Sequence, residues 1–317
     1  MPKRQFSLGF DLGGTKLAAA LLRDDGVIIE ASKIPVHMDR DSSAARTQAR
    51  VVELIADIAM DFKKRYPKEC SSTSFKGIGL VSAGPLNVET GTLIHPANYP
   101  GWKIVPLKKM VEARLQESGF RQAVRFQNDA IAASLAEHWI GGAKKLKSFC
   151  VVTVGTGIGS GVILNGQPCQ SGGMGSEFGH LFIDLKPLAG TEGAPYSVEG
   201  VASGTALIRR ARSLGFRGTS VEELLLEKNS RYAVLFDEMA QALAILCFNL
   251  SLGFHLEKIF FSGGLVKIHK YFLPQTKKHY RRLVREFNPA FECPIEIAKT
   301  KSLAGVIGAG YLPFGKG

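Results

Sequence analysis

Short apolar runs separated by polar and glycine-rich turns open the chain. Residues 5–10 (QFSLGF), 17–22 (LAAALL) and 26–31 (GVIIEA) are strand-length and are broken by Asp-Leu-Gly-Gly-Thr and by Asp24-Asp25-Gly26, so they read as three hairpin-connected strands. The period then changes. Between Ser43 and Tyr66, residues Val51, Leu54, Ile55, Ile58 and Phe62 recur at helical spacing and predict a long amphipathic crossover helix. A strand over 75–82, a Gly/Pro/Asn-rich loop over 83–102, a helix from Pro106 to Ser118, a strand over 124–127 and a helix over 130–139 follow.

From Ser148 the opening pattern returns as FCVVTV, the turn GTGIGSG and SGVILNG, which implies an internal duplication. Residues 199–255 read as mainly helical. Lys258–Phe261 reads as a strand ending in Ser262-Gly263-Gly264, and Ala304–Tyr311 as a last helix returning to the first half. The expectation is an α/β protein of two domains, 1–125 joined by 304–317 and 126–303, with no Pro- or Ser-rich linker marking the boundary.

Composition narrows the class. A hydrophobic fraction of 45% and a charged fraction of 21% are those of a folded globular chain, neither disordered nor fibrous. The oily segment Met239–Phe254 carries Gln241, Asn249 and Ser251 and falls short of the roughly 20 apolar residues a bilayer needs, so it reads as a buried core helix rather than a membrane span. Residues 1–6 run straight into a strand-like segment with no signal-type apolar core. The five cysteines, at 70, 150, 169, 247 and 293, lie far apart without CxxC spacing, which suits a reducing cytoplasm. The net charge of +12 is scattered apart from clusters at Lys144–Lys147 and Lys277–Arg285; these read as solvated helix faces, or as a field attracting a polyanionic ligand, and not as a nucleic-acid site.

Three glycine turns stand out because phosphate binding needs backbone N–H groups converging without interfering side chains. They are Asp11-Leu12-Gly13-Gly14-Thr15-Lys16, Gly155-Thr156-Gly157-Ile158-Gly159-Ser160-Gly161 and Ser262-Gly263-Gly264. None matches GxxxxGK[ST], and GTGIGSG joins strand to strand, so neither a P-loop nor a dinucleotide fingerprint is indicated. Each alone reads as a plain hairpin turn; together, after strands in two similar halves, they point to a nucleotide. Asp11 could hold the water shell of Mg²⁺ or merely serve its turn. Lys16 could meet a phosphate as a point charge or be a solvated strand lysine. Asp129 follows Asn128 where a strand gives way to a helix, a place where aspartate commonly caps. Glu177 and His180, in SGGMGSEFGHLFI, could bind sugar hydroxyls or be a polar pair on a loop.

Taken in order and spacing, the DLGGT turn at 11–15, Ala83-Gly84-Pro85, Asn98, Asn128-Asp129, GTGIGSG, Glu177-Phe178-Gly179-His180 and SGGL at 262–265 resemble the ROK family (repressor, open reading frame, kinase), on its glucokinase and hexokinase side. The resemblance covers nearly the whole length. It implies an actin-like ATPase (ribonuclease H-like) fold with two α/β domains around a cleft, ATP and Mg²⁺ as partners of catalysis, and a homodimer. It implies Asp129 as general base, Gly84, Asn98, Asn128, Asp129, Glu177, His180 and Glu199 as sugar-contacting residues, and Gly13, Gly14, Thr15, Lys16, Thr156, Gly157, Gly263 and Gly264 as the nucleotide site. The substrate it suggests is glucose, with N-acetylmannosamine, N-acetylglucosamine, mannose or fructose as alternatives and polyphosphate as an alternative donor.

One departure is large. The family usually follows ExGH with a zinc motif whose cysteines would fall at about Gly190, Glu192 and Ser197, none of which is cysteine here, while Glu199 keeps its spacing from His180. A lone histidine cannot supply the four ligands of a structural zinc, so none is expected; Pro187, Pro195, Leu188 and Tyr196 are candidates for holding the 181–198 loop instead. The family also contains sugar-responsive repressors with a helix-turn-helix ahead of the DLGGT turn. Only ten residues precede Asp11, which disfavours that reading, and Asp129 disfavours a silent sugar sensor.

Overall fold

The computed structural model describes residues 4–36, 43–184, 196–227 and 229–315. They divide into two compact units: one runs to Lys144 and takes in Gln170–Gly175 and the chain from Leu303 onward, the other comprises Lys145–Cys169 and Ser176–Ser302.

In the first unit, β1 (Phe6–Leu12), β2 (Lys16–Arg23) and β3 (Ile28–Pro35) form an antiparallel meander, and α1 (Ala44–Arg65) crosses to β4 (Phe75–Ser82). The loop after β4 contains a small sheet of β5 (Leu86–Asn87), β6 (Thr92–Ile94) and β7 (Ile104–Val105). Next come α2 (Leu107–Glu117), β8 (Val124–Asn128) and α3 (Asp129–Trp139). The main sheet has the order β3-β2-β1-β4-β8, with β4 and β8 parallel to β1. Burial explains the pattern. The face of α1 carrying Val51, Ile55, Ala59 and Phe62 is buried in one core with Leu8, Phe10, Ile78 and Leu80, as its helical spacing requires.

The second unit repeats the design with β9 (Phe149–Val154), β10 (Ile158–Leu164) and β11 (Gln167–Pro168). A helical stretch of α4 (Val198–Ala202), α5 (Gly204–Ser213), α6 (Val221–Leu226) and α7 (Ala233–Phe254) leads to β12 (Lys258–Ser262), α8 (Leu273–Phe287) and β13 (Ile295–Ile297). Its sheet order is β11-β10-β9-β12-β13, with β12 and β13 parallel to β9, so the duplication read from the sequence is a duplication of topology. Helix α7, with the turn before it, is the one stretch among the described residues long and apolar enough to cross a membrane. Its Leu235, Met239, Leu243, Leu246, Cys247 and Leu250 are buried in the second core.

The last helix, α9 (Ala304–Tyr311), belongs to the first unit. Val306 and Ile307 share a cluster with Ala18, Ala20, Leu22 and Ala136, and the Trp139 and Tyr311 rings meet in a tilted contact at 5.4 Å. That packing moves the boundary. The first unit extends past the expected limit near residue 125 to Lys144, because β8 is the fifth strand of its sheet and α3 packs against α9, which itself lies on that sheet.

Candidate active site

In the first unit the candidate residues leave from one row across the sheet. Leu12 on β1 is registered with Ser82 on β4, and Ser82 with Asn128 on β8. The residues next in chain, Gly13 and Ala83, therefore start two neighbouring loops, and Asp129 starts helix α3 beside them, at the carboxyl ends of parallel strands, where α/β sheets collect their ligands. Asp11 is one residue before that row, and Gly84 two residues after.

Asn128 resolves the capping question left open by the sequence. Its side chain accepts from Ala130 N (2.9 Å) and Ile131 N (3.2 Å), so it is the N-cap of α3 and Asp129 is the first helical residue. Asp129 shares the Ala130 N–H through Oδ1 at 2.8 Å, and no side-chain donor holds its carboxylate among the described residues. Burial pushes its pKa upward against those backbone hydrogen bonds. An enclosed carboxylate that is not held by a cation is a stronger base than an exposed one.

Asp11 shares that electrostatic neighbourhood. Burial, and then the Asp129 charge, raise its pKa from 3.8 to about 7, with Lys16 and Lys33 opposing the shift. Lys33 was not singled out from the sequence; the register shows it, because Asp11, Ala18 and Lys33 are successive partners across β1, β2 and β3. The Asp11 carboxylate also lies flush against the first turn of α9, where a β-carbon on Gly305 would come within 2.2 Å of Oδ2.

The loop after β4 returns Asn98 to the Asp11–Lys16 turn. A β-carbon on Gly14 would lie 3.0 Å from Asn98 O and 3.3 Å from Asn98 Cβ, so the two residues are in contact. Tyr99 and Trp102, which the sequence reading passed over, anchor this loop. Tyr99 is buried and its hydroxyl donates to Leu12 O at 2.6 Å, while Trp102 Nε1 donates to Thr47 Oγ1 on α1 at 2.9 Å.

In the second unit the candidates converge on Ile158. Its N–H donates to Glu199 Oε2 at 2.8 Å, which ties Glu199 to the GTGIGSG turn. Its carbonyl packs so closely on Gly179 that a β-carbon there would sit 1.9 Å away. Glu177 and His180 flank Gly179 on a short 3-10 turn, with Glu177 Oε2 3.9 Å from His180 Nε2 and both side chains about half exposed. The Phe178 N–H donates to Ser160 Oγ, which donates in turn to Ser176 O, fastening the ExGH segment to β10. Beside this, Gly204 N at the start of α5 donates to Gly155 O at 2.8 Å, and Gly263, at φ +93°, has its α-carbon packed against the backbone of Val154. The turn after β9 and the turn after β12 are therefore neighbours.

Both units present unused donors. Gly13 N and Gly155 N close their own turns onto Lys16 O and Gly157 O, but the N–H groups of Gly14, Thr15, Thr156, Gly157 and Gly264 make no hydrogen bond among the described residues. These are groups an anion can use. Lys16, at the start of β2, is exposed beside the first turn. Positions 190 and 192 of the absent zinc motif, with Pro187, Leu188 and Pro195, lie outside the described residues. Ser197 caps α4 by accepting from Gly200 N, and Phe182 bridges to Ser197. The Lys277–Arg285 cations lie along the solvent side of α8, where Arg281 and Arg285 pair with Glu292.

The strand order, repeated in both units, is that of the actin-like ATPase fold, and known proteins agree. The ROK family profile matches residues 7–314. A glucokinase of Halalkalibacterium halodurans is 30% identical over 96% of this chain and 94% of its own length. An N-acetylmannosamine kinase of Haemophilus influenzae is 28% identical over the same shares. The crystal structure of a ROK hexokinase from Thermus thermophilus superposes with a TM-score of 0.78 at 27% identity, covering 98% of each chain.

Proposed function

Because the chain belongs to the ROK family and is a sugar kinase within it, we propose that it moves the γ-phosphoryl group of ATP onto the 6-hydroxyl of a hexose, glucose first, with Asp129 as general base. The observation that carries this reading is the division of labour at the start of α3. Asn128 caps the helix, so the Asp129 carboxylate, enclosed and raised in pKa, is available to take a proton.

Phosphoryl transfer passes through a loose transition state and is catalysed by positioning and charge. The N–H groups of Gly14 and Thr15 in one unit, and of Thr156, Gly157 and Gly264 in the other, are assigned to phosphate oxygens, with Lys16 as a nearby cation. Asn98, Asn128 and Gly84 are assigned to orienting the sugar. Glu177 and His180 are assigned to its hydroxyls. Glu199 has Oε2 committed to Ile158 N–H, which supports a shared role in which it shapes the glycine turn and offers its other oxygen to sugar. Asp11 fits the water shell of Mg²⁺: its buried carboxylate is costly to ionise alone, and Lys16 and Lys33 offset only part of that cost. A bound Mg²⁺ would supply neutralisation of phosphate charge. A cytoplasmic location and a homodimer are carried from the resemblance as part of the same reading.

The alternative substrate is N-acetylmannosamine, favoured by the Haemophilus influenzae relative. A panel of hexoses and N-acetylhexosamines, assayed for ADP release with ATP and for sugar phosphate with polyphosphate, decides between them. Asp129→Asn is expected to lower turnover on the preferred sugar by about 10²- to 10⁴-fold while sugar still binds. Near-normal turnover in that variant refutes the assignment.

A further inference from the structure

We infer that Tyr99 is a positioning residue for this phosphoryl transfer, its buried hydroxyl fixing the loop that carries Asn98 onto the ends of β1 and β4. The inference rests on the sugar-kinase reading and adds a residue that the motifs do not contain.

The geometry is specific. Tyr99 is 1% exposed, and its single hydroxyl proton goes to Leu12 O at 2.6 Å, because a carbonyl can only accept. Ser82 Oγ lies 2.8 Å from the same phenol oxygen, so the serine donates and a chain runs Ser82 to Tyr99 to Leu12. Leu12 and Ser82 are partners in the row from which the phosphate turn and the Gly84 loop depart. Tyr99 therefore bridges the two strand ends at the point where the site loops begin. Burial, with a smaller contribution from the Asp129 and Asp11 charges, pushes the phenol far above its ordinary pKa, so it stays a donor.

A structural explanation alone does not account for the hydroxyl. The ring packs 5.0 Å from Trp102, and the backbone of the loop is already turned by Tyr99 N donating to Pro96 O and Trp102 N donating to Tyr99 O. Trp102 provides a separate tie to α1 through Thr47. What the phenol adds is registration between Asn98, which rests on Gly14, and the turn that contains Gly14. A sugar held by Asn98 is thereby indexed to phosphate held by that turn. Misplacement of reacting groups by about 1 Å can cost on the order of 100-fold in rate.

The test compares wild type with Tyr99→Phe, which keeps the ring and removes the hydroxyl, using full-length chain, the preferred sugar of the panel and ATP. The kcat is expected to fall about 10- to 100-fold with a much smaller change in sugar KM. ADP release is expected to exceed sugar phosphate formation, as water accepts phosphoryl from a misregistered site. Ser82→Ala, which keeps the bond to Leu12, gives a milder loss in the same direction. Asn98→Ala combined with Tyr99→Phe loses less than the product of the single losses, because both act through one loop. The inference is overturned by an unchanged ratio of ADP to sugar phosphate in Tyr99→Phe, by kcat loss that only follows the folded fraction in urea, or by fully multiplicative losses. It is overturned equally if Thr47→Val, which removes the acceptor of the tie to α1 and leaves the Trp102 ring beside Tyr99 in place, uncouples the reaction to the same degree. A wild type inactive on the whole sugar panel sinks the parent reading and this one together; an active wild type with an unaltered Tyr99→Phe sinks this one alone.

Discussion

Replacing Asp11 with asparagine is expected to stabilise the folded chain above neutral pH while removing activity. The carboxylate titrates at about 7 in the folded chain against an ordinary value of 3.8, chiefly because of burial and then because of the Asp129 charge. Between those values the folded state binds the proton that the unfolded state has lost. Stability therefore falls as pH rises from about 4 to about 7 and levels off beyond. At about 1.4 kcal/mol per pKa unit, the full shift corresponds to roughly 4 kcal/mol of strain at pH 8. Two effects reduce the gain in the variant. The first turn of α9, against which Oδ2 packs, favours a negative charge by about 0.3–1 kcal/mol, and the new amide must be hydrogen-bonded at a cost of about 1 kcal/mol where it is not. A net gain of about 1–3 kcal/mol remains at pH 8, shrinking to nothing near pH 4. Urea unfolding followed by Trp102 and Trp139 fluorescence, from pH 4.5 to 8.5 without Mg²⁺, reads it directly. Asp129→Asn removes the second cause of the shift, so the window should move to lower pH in that background. An Asp11→Asn chain less stable than wild type at pH 8, or a stability difference that does not vary with pH, would refute the reasoning.

Other outcomes follow from the second unit. Gly179→Ala places a β-carbon 1.9 Å from Ile158 O, and the forced backbone shift is expected to cost about 1–3 kcal/mol in urea unfolding and to raise sugar KM; wild-type values for both would show that the close contact is not maintained in solution. Glu199→Ala leaves the Ile158 N–H unpaired, with an expected loss of about 1–3 kcal/mol and a raised ATP KM as the glycine turn loosens; an unaltered ATP KM would separate Glu199 from that turn. Elemental analysis of purified chain is expected to find no stoichiometric zinc, and one zinc per chain would overturn the argument from the missing cysteines.

Much of this architecture is legible in the residue pattern because burial imposes it. The meander β1–β3, helix α1 and the repeat beginning at β9 all follow from apolar periodicity, and the glycine turns punctuate them. Two kinds of feature escape. Strands β5 and β6 are two or three residues long, too short to show a period, so 83–102 reads as loop. The domain boundary escapes for another reason: α3 is buried on nearly all sides, and a helix without a polar face does not declare which core it joins. At the site, Asp129 and its neighbours could be named from motif order, but the hydroxyl of Tyr99 and the bond from Ile158 to Glu199 join residues 87 and 41 positions apart. Contacts of that range leave no local signal. Lys33 is intermediate, since it becomes visible once the β1–β2–β3 register is fixed.

The duplicated topology sharpens the assignment of chemistry, because equivalent positions of the two units have diverged unequally. After the first strand of each meander's central pair, both units keep a glycine turn with unused N–H groups, at Gly14-Thr15 and at Thr156-Gly157. After the next parallel strand both again keep glycine, at Gly84 and at Gly263-Gly264. The fifth strand is where they part. In the first unit β8 runs into Asn128-Asp129 and a helix of 11 residues, while in the second β13 runs into Ala298-Lys299. Glycine turns with unused N–H groups occur in both units, whereas a carboxylate that opens a helix at this row position occurs in one. Under the reading proposed above that asymmetry has a use, because phosphoryl transfer needs several donors along the phosphates and a single base at the attacking oxygen.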